Sequence, residues 1–233
     1  MINPFIKWSV CTLLITFSFA VHAQSNENIK QLPLRDFPAK GNSKVLFVYF
    51  TGDGGWNNFS QQLVEQLAAQ HYPVVAFDSR KYFWNSKTPA QFATDVDNLL
   101  AYYQALWKTE RVVFIGYSFG ADVAAFLPSH MKKTSNIISM VLLSPGYSSD
   151  FEVKLSDLIG SSTKVERKYN VQDALTKSKI PVLCIFGEDE ELYLKQSLEK
   201  SDKIKIKNIP GSHRYDNNVE LLVKLILEHA HPI

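Results

Sequence analysis

From Lys44 onward the chain alternates short unbroken apolar runs with longer stretches in which apolar side chains return every three or four residues. The runs Val45 to Phe50, Val74 to Phe77, Val112 to Ile115, Ile138 to Leu143 and Val182 to Phe186 have strand length and almost no polar position, as expected of strands covered by helices on both faces. Ile204, Ile206 and, after Asn208, Ile209 mark a sixth strand of weaker pattern. Phe59, Leu63 and Leu67 share one face of a predicted helix over Phe59 to Gln70. Phe92, Val96, Leu99 and Tyr103 do the same for Pro89 to Trp107, which opens on a capping Thr88 before a first-turn proline. A last helix is predicted over Val219 to His229. This alternation predicts βαβ units and a mostly parallel sheet of about six strands flanked by helices, an α/β protein with one domain over residues 44–233.

Two stretches fall outside the pattern. Residues 24–43 are polar around an apolar patch at Leu32 to Phe37 and read as an N-terminal arm or a poorly formed first strand. Residues 147–178 are too long for a simple crossover between two strands and read as a lid-like insertion over the strand ends. The first 23 residues carry Lys7, an apolar run from Val10 to Val21 and small or compact residues at Val21 and Ala23. That is the pattern of a secretory signal peptide with cleavage after Ala23, the apolar run being short of the roughly 20 residues a membrane span needs. Cys11 would leave with it, so Cys184, inside an apolar run, is expected to be a buried strand cysteine without an intramolecular partner. Lys and Arg number 25 against 23 Asp and Glu, a net charge of +2, which gives no electrostatic reason to bind nucleic acid.

Ligands of such sheets bind beyond the carboxyl ends of the strands, so the chemistry is sought there. Directly after Val112 to Ile115 stands Gly116-Tyr117-Ser118-Phe119-Gly120, a GxSxG motif leading into a predicted helix. Its glycines allow the sharp turn that lifts a serine hydroxyl above the sheet. A serine hydroxyl needs a base, and in this arrangement an acid and then a histidine follow it in chain order. Of the histidines, only His213, in Pro210-Gly211-Ser212-His213 after the last strand, stands where the base belongs. The acid is sought in Gly187-Glu188-Asp189-Glu190-Glu191, where Glu190 is favoured and Asp189 stays open. The oxyanion hole is expected from the N–H of Phe119 and that of Asp53 or Gly54, in the glycine-rich loop Thr51 to Trp56. No histidine spacing suits zinc and there is no phosphate loop, and a serine mechanism needs no cofactor.

These residues resemble the bacterial virulence protein VirJ family, which includes the VirJ-like domain of AcvB. The matching stretches are TGDGGW at 51–56, YFWNSKTP at 82–89, GYSFGAD at 116–122, LSPG at 143–146, DFE at 150–152, PVLCIFGEDE at 181–190 and PGSHRYD at 210–216. The resemblance implies a periplasmic α/β-hydrolase fold with Ser118 and His213 at the family's catalytic positions and an acid within 188–191. AcvB-like members imply hydrolysis of the lysyl ester of phosphatidylglycerol, and hence peripheral membrane contact. Some members are linked to type IV secretion, which keeps a non-catalytic role with secretion-system proteins open. A general lipase or esterase is a further reading, although Lys154, Lys164, Glu166 and Arg167 make the insertion polar for a lipid-tail surface. A lysyl ammonium calls for a carboxylate at Asp53, Asp122 or Asp216, and Trp56 joins Asp122 and Asp216 as a substrate-binding position. The chain departs from the family at Leu194-Lys195, where members often carry a second cysteine, and at Arg214, where they carry a second histidine.

Overall fold

The computed structural model describes residues 29–154, 167–190 and 204–230. The predicted signal peptide, the stretch 155–166 of the insertion and Leu194-Lys195 lie outside them. Seven strands form the main sheet: β1 (Leu34–Phe37), β2 (Val45–Phe50), β3 (Val74–Phe77), β4 (Arg111–Tyr117), β5 (Ile137–Leu143), β8 (Val182–Gly187) and β9 (Ile204–Ile209). Their spatial order is β1-β3-β2-β4-β5-β8-β9, and every neighbouring pair is parallel except β1 with β3. The arm is thus a strand, pairing antiparallel as Leu34 with Phe77 through Phe37 with Val74, and the sheet has seven strands instead of about six. In LRDF only the two ends are even partly buried, which is why its pattern is faint.

Alternate side chains of the doubly covered strands enter two separate cores. Leu46, Val48 and Phe50 of β2 face α3 (Pro89–Trp107), where Phe92, Val96 and Leu99 are buried. Val45, Phe47 and Tyr49 face α1 (Asn58–Ala69) and α7 (Val219–Ala230). The period of two in the strands and of three to four in the helices produces this layering. The start of α3 carries the full capping box, Thr88 receiving the Gln91 N–H and Gln91 reaching back to the Thr88 N–H. On the open edge, β9 shows Lys205 and Lys207 where a neighbouring strand would otherwise add.

Both described ends of the 147–178 segment are built into the body. Ser148–Ser149 (β6) and Tyr169–Asn170 (β7) pair as two short antiparallel strands, and α6 (Val171–Lys177) buries Val171, Ala174 and Leu175. Phe151 lies in a nest of rings, 5.6 Å from Phe83 and 5.2 Å from Phe126. No helix among the described residues is long and apolar enough to cross a membrane.

The topology decides where a ligand can sit. From β2 the chain moves to β3 on one side and then to β4 on the other, so the loops after β2 and β4 part above the sheet and open a crevice between them.

Candidate active site

The two loops at that crevice carry the glycine-rich turn and the GxSxG serine. Ser118 follows β4 with φ 52° and ψ −122°, a left-handed conformation unusual for a residue with a Cβ, and Phe119 opens α4 (Phe119–Ala124) at once. The turn is this sharp because its neighbours have no side chains. A Cβ on Gly116 would meet the Ala121 backbone, and one on Gly120 would meet the Phe50 and Thr51 carbonyl oxygens. Gly52 in turn lies against the serine, since its Cβ would stand 3.4 Å from that of Ser118. In this loop the Gly55 N–H donates to the Gly52 carbonyl at 3.0 Å, with Asp53 and Gly54 at the corner of the turn.

His213 arrives from the loop after β9. Its Nε2 is 2.9 Å from Ser118 Oγ and its Nδ1 is 2.5 Å from Glu190 Oε1. The ring is 47% exposed while the Glu190 side chain is 6% exposed, so the acid is sheltered and the base opens to solvent. Between the two acids left open by the spacing, Glu190 is the one brought to His213. Asp189 is exposed, and its backbone N–H donates to the Gly211 carbonyl. The other Glu190 oxygen, Oε2, receives the Ser144 hydroxyl at 2.7 Å and the Gly187 N–H at 2.8 Å. Burial pushes Glu190 up, and the hydrogen bonds from His213, Ser144 and Gly187 outweigh that and hold it below the ordinary carboxylate value. With Glu190 ionised, the short contact is an Nδ1–H donated to it, which leaves Nε2 with a lone pair facing Ser118.

Tyr117, the variable residue inside the motif, steadies the base. Its hydroxyl donates to the His213 carbonyl at 3.2 Å and its ring lies 5.4 Å from the imidazole. Burial pushes the phenol up to about 12, so it stays a donor. Tyr117, Ser144 and Tyr215 escaped the sequence reading as site residues, although all three lie in stretches that carry the family resemblance.

The remaining predicted positions are spread around this line. Asp53 is half-buried in the glycine loop, near enough for its charge to act on Tyr117 and Asp122. Asp122 lies one helical turn beyond Ser118, 9% exposed, and accepts the Gly146 N–H at 2.6 Å. Burial raises its carboxyl to about 8 against the opposing effects of that N–H and Arg167. Asp216 is exposed and packs against Gly211 in the turn after His213. Trp56 turns toward β1, its ring stacked 6.0 Å from Phe37 and 4.8 Å below the Arg35 guanidinium, with its N–H given to Gln61. Cys184 is fully buried in β8, and burial pushes its thiol up to about 12. Among the described residues no group of three or more His, Cys, Asp or Glu is placed to hold a metal ion.

The family model described as bacterial virulence protein (VirJ) matches residues 44–232, nearly the whole described chain. The chain belongs to the VirJ family. Solved structures add the fold. MenH from S. aureus aligns at a TM-score of 0.64 with 13% identity, over 84% of this chain and 97% of its own. A hydrolase from Oleispira antarctica aligns at 0.63 with 15% identity, over 90% and 98%. Est1E from Butyrivibrio proteoclasticus, solved with ferulic acid bound, aligns at 0.60 with 18% identity, over 84% and 93%. No curated protein sequence matches the chain. This VirJ-family member therefore has the α/β-hydrolase fold and resembles esterases in structure.

Proposed function

We propose that this VirJ-family protein is a periplasmic serine hydrolase of carboxylic esters, acting on the aminoacyl ester of a lysylated phosphatidylglycerol. The observation that carries the reading is the line from Ser118 Oγ through His213 to Glu190, with steps of 2.9 and 2.5 Å at the crevice where the strand order reverses.

Ser118 Oγ attacks the ester carbonyl carbon while its proton passes to His213 Nε2. The carbonyl electron pair moves to oxygen, which takes hydrogen bonds from the N–H of Phe119 and from that of Asp53 or Gly54. Collapse of the adduct breaks the bond to the lipid alcohol, which leaves with the proton from His213. Water then gives a proton to His213 and attacks the acyl-serine, and lysine departs as Ser118 recovers its proton. Glu190 stays ionised throughout and stabilises the imidazolium. The lysyl ammonium is met by the carboxylate of Asp53 in the glycine loop, while Asp122, which burial keeps protonated toward pH 8, offers a neutral acceptor.

The test is release of free lysine from vesicles of lysyl-phosphatidylglycerol, run beside hydrolysis of p-nitrophenyl acetate and with Ser118→Ala as control. Lysine release that disappears in Ser118→Ala is expected. Cleavage of the small ester without lysine release would refute the lipid substrate, and a folded protein inert toward both would refute the hydrolase.

A further inference from the structure

Behind Glu190 lie two hydroxyls that the reaction does not touch. Ser144, the first residue after β5, is 2% exposed and left-handed at φ 49°. Tyr215, two residues after His213, is fully buried and left-handed at φ 54°. Neither is a glycine, so both backbones are strained, and strain of this kind persists only where the surroundings enforce it. What both residues reach is the same place. Ser144 Oγ is 2.7 Å from Glu190 Oε2 and 2.6 Å from the Tyr215 hydroxyl, which is itself 2.9 Å from the Ile185 carbonyl.

Counting protons orders these contacts. An ionised Glu190 only accepts, so the single Ser144 proton goes to it. The Ser144–Tyr215 contact must then use the Tyr215 proton. The Ile185 carbonyl, at 2.9 Å from the Tyr215 hydroxyl against 2.6 Å for Ser144 Oγ, takes the lesser share of that proton, because two oxygens 2.6 Å apart with no proton between them would repel. The donors therefore run from Tyr215 to Ser144 to Glu190, each strengthening the next.

We propose that Tyr215 and Ser144 are positioning residues whose hydroxyls form a donor relay onto the far oxygen of Glu190. Through it they set the pH below which His213 ceases to act as a base. Taking away the relay concentrates the carboxylate charge on the oxygen facing His213, and the imidazole then holds a proton to higher pH. The relay rests on the hydrolase reading for its purpose but not for its physics.

The other groups facing the pair are Tyr117, Arg214, Asp53 and Cys184, with Glu188 and Asp189 on the acid's own loop. Burial keeps the Tyr117 phenol and the Cys184 thiol neutral at the pH of the test, and the charged groups are common to all variants, so a difference between variants reports the missing hydroxyl.

The experiment is a ¹⁵N and ¹H NMR titration of His213 in the unaltered protein, in Tyr215→Phe and in Ser144→Ala, beside the pH dependence of fluorophosphonate labelling of Ser118. The expected result is a rise of about half to one pH unit in the His213 midpoint in both variants. Labelling should slow about three- to tenfold on the acid side and stay nearly unchanged at high pH. A purely structural tie between Tyr215 and the Ile185 carbonyl would lower the melting temperature while leaving the titration where it was, and that result overturns the proposal. If Tyr215→Phe does not fold, Ser144→Ala decides alone, and an unmoved midpoint there overturns it. Failure of the unaltered protein to label would refute the hydrolase reading, while the titration would still decide the relay.

Discussion

Replacing Glu190 by Gln separates the acid from the carboxylates that crowd it. The side chain keeps its length and burial but brings an NH₂ in place of an acceptor. If that NH₂ faces His213, Nδ1 must become the acceptor, and the ring proton moves to Nε2, where it points at Ser118 and abolishes the base. If it faces the other way, it meets the Ser144 hydroxyl at 2.7 Å and the Gly187 N–H at 2.8 Å, and the main-chain N–H cannot turn away. The first arrangement removes the base and the second leaves a sheltered donor facing a donor. A triad whose acid becomes an amide loses about 10⁴ in kcat, some 5 kcal/mol of transition-state stabilisation. Asp189→Asn changes an exposed side chain whose backbone N–H, bonded to the Gly211 carbonyl, is untouched. It should stay within about twofold of the unaltered enzyme, as surface changes away from such networks do. The assay is steady-state hydrolysis of p-nitrophenyl acetate from pH 6 to 9, with thermal melts to confirm folding. Glu190→Gln retaining more than about a tenth of kcat, with Asp189→Asn the more damaging change, would refute the assignment of the acid and the tautomer argument with it.

Gly120→Ala sets a methyl against the main-chain oxygens of Phe50 and Thr51, which cannot yield, so the protein should lose Ser118 labelling and melt lower by several degrees, read by labelling and calorimetry. Phe83→Ala empties the ring nest where Phe83 is 5.1 Å from Phe92, 5.3 Å from Phe119 and 5.6 Å from Phe151; it should cost about 3–5 kcal/mol in urea unfolding. Asp122 binds its proton more tightly folded, near 8, than unfolded, near 3.8, so the stability it contributes is present below 3.8 and lost as pH rises toward 8. Asp122→Asn, which keeps an oxygen for the Gly146 N–H, should therefore gain in melting temperature over the unaltered protein as pH rises through that window and level off above it. A difference that stays flat would refute the buried-carboxyl reading.

How far the chain's pattern reveals the structure follows from how each part is covered. The strands β2, β3, β4, β5 and β8 were legible because helices on both faces require apolar side chains at nearly every position. Strand β1 was legible only as an arm or a poorly formed first strand, because an edge strand with only its ends partly buried leaves no unbroken run to read. Ser118 and His213 could be placed from chain order, since the motif and the last strand leave each a single position. The acid could be narrowed only to Glu190 with Asp189 left open, because Glu188, Asp189 and Glu190 share one turn and differ only in where that turn aims them. The aim comes from main-chain contacts no composition records: the Asp189 N–H on the Gly211 carbonyl and the Glu190 N–H on that of Gly187.

Ser144 and Tyr215 mark the limit of that kind of reading most clearly. A serine after a strand and a tyrosine after a histidine are ordinary residues, and both adopt a backbone conformation that sequence rules reserve for glycine or asparagine. Local preference argues against the turns they make, so the stabilisation has to come from what the turns bring together. That is a carboxylate with both oxygens occupied, Oε1 by His213 and Oε2 by Ser144 and Gly187. A conflict between local propensity and the folded conformation, located next to a sheltered charge, is where a site spends stability on orientation. The same logic joins these residues to Ser118, at φ 52°. Three strained non-glycine residues from three separate loops converge on one hydrogen-bonded line running from Ser118 through His213 and Glu190 to Ser144 and Tyr215.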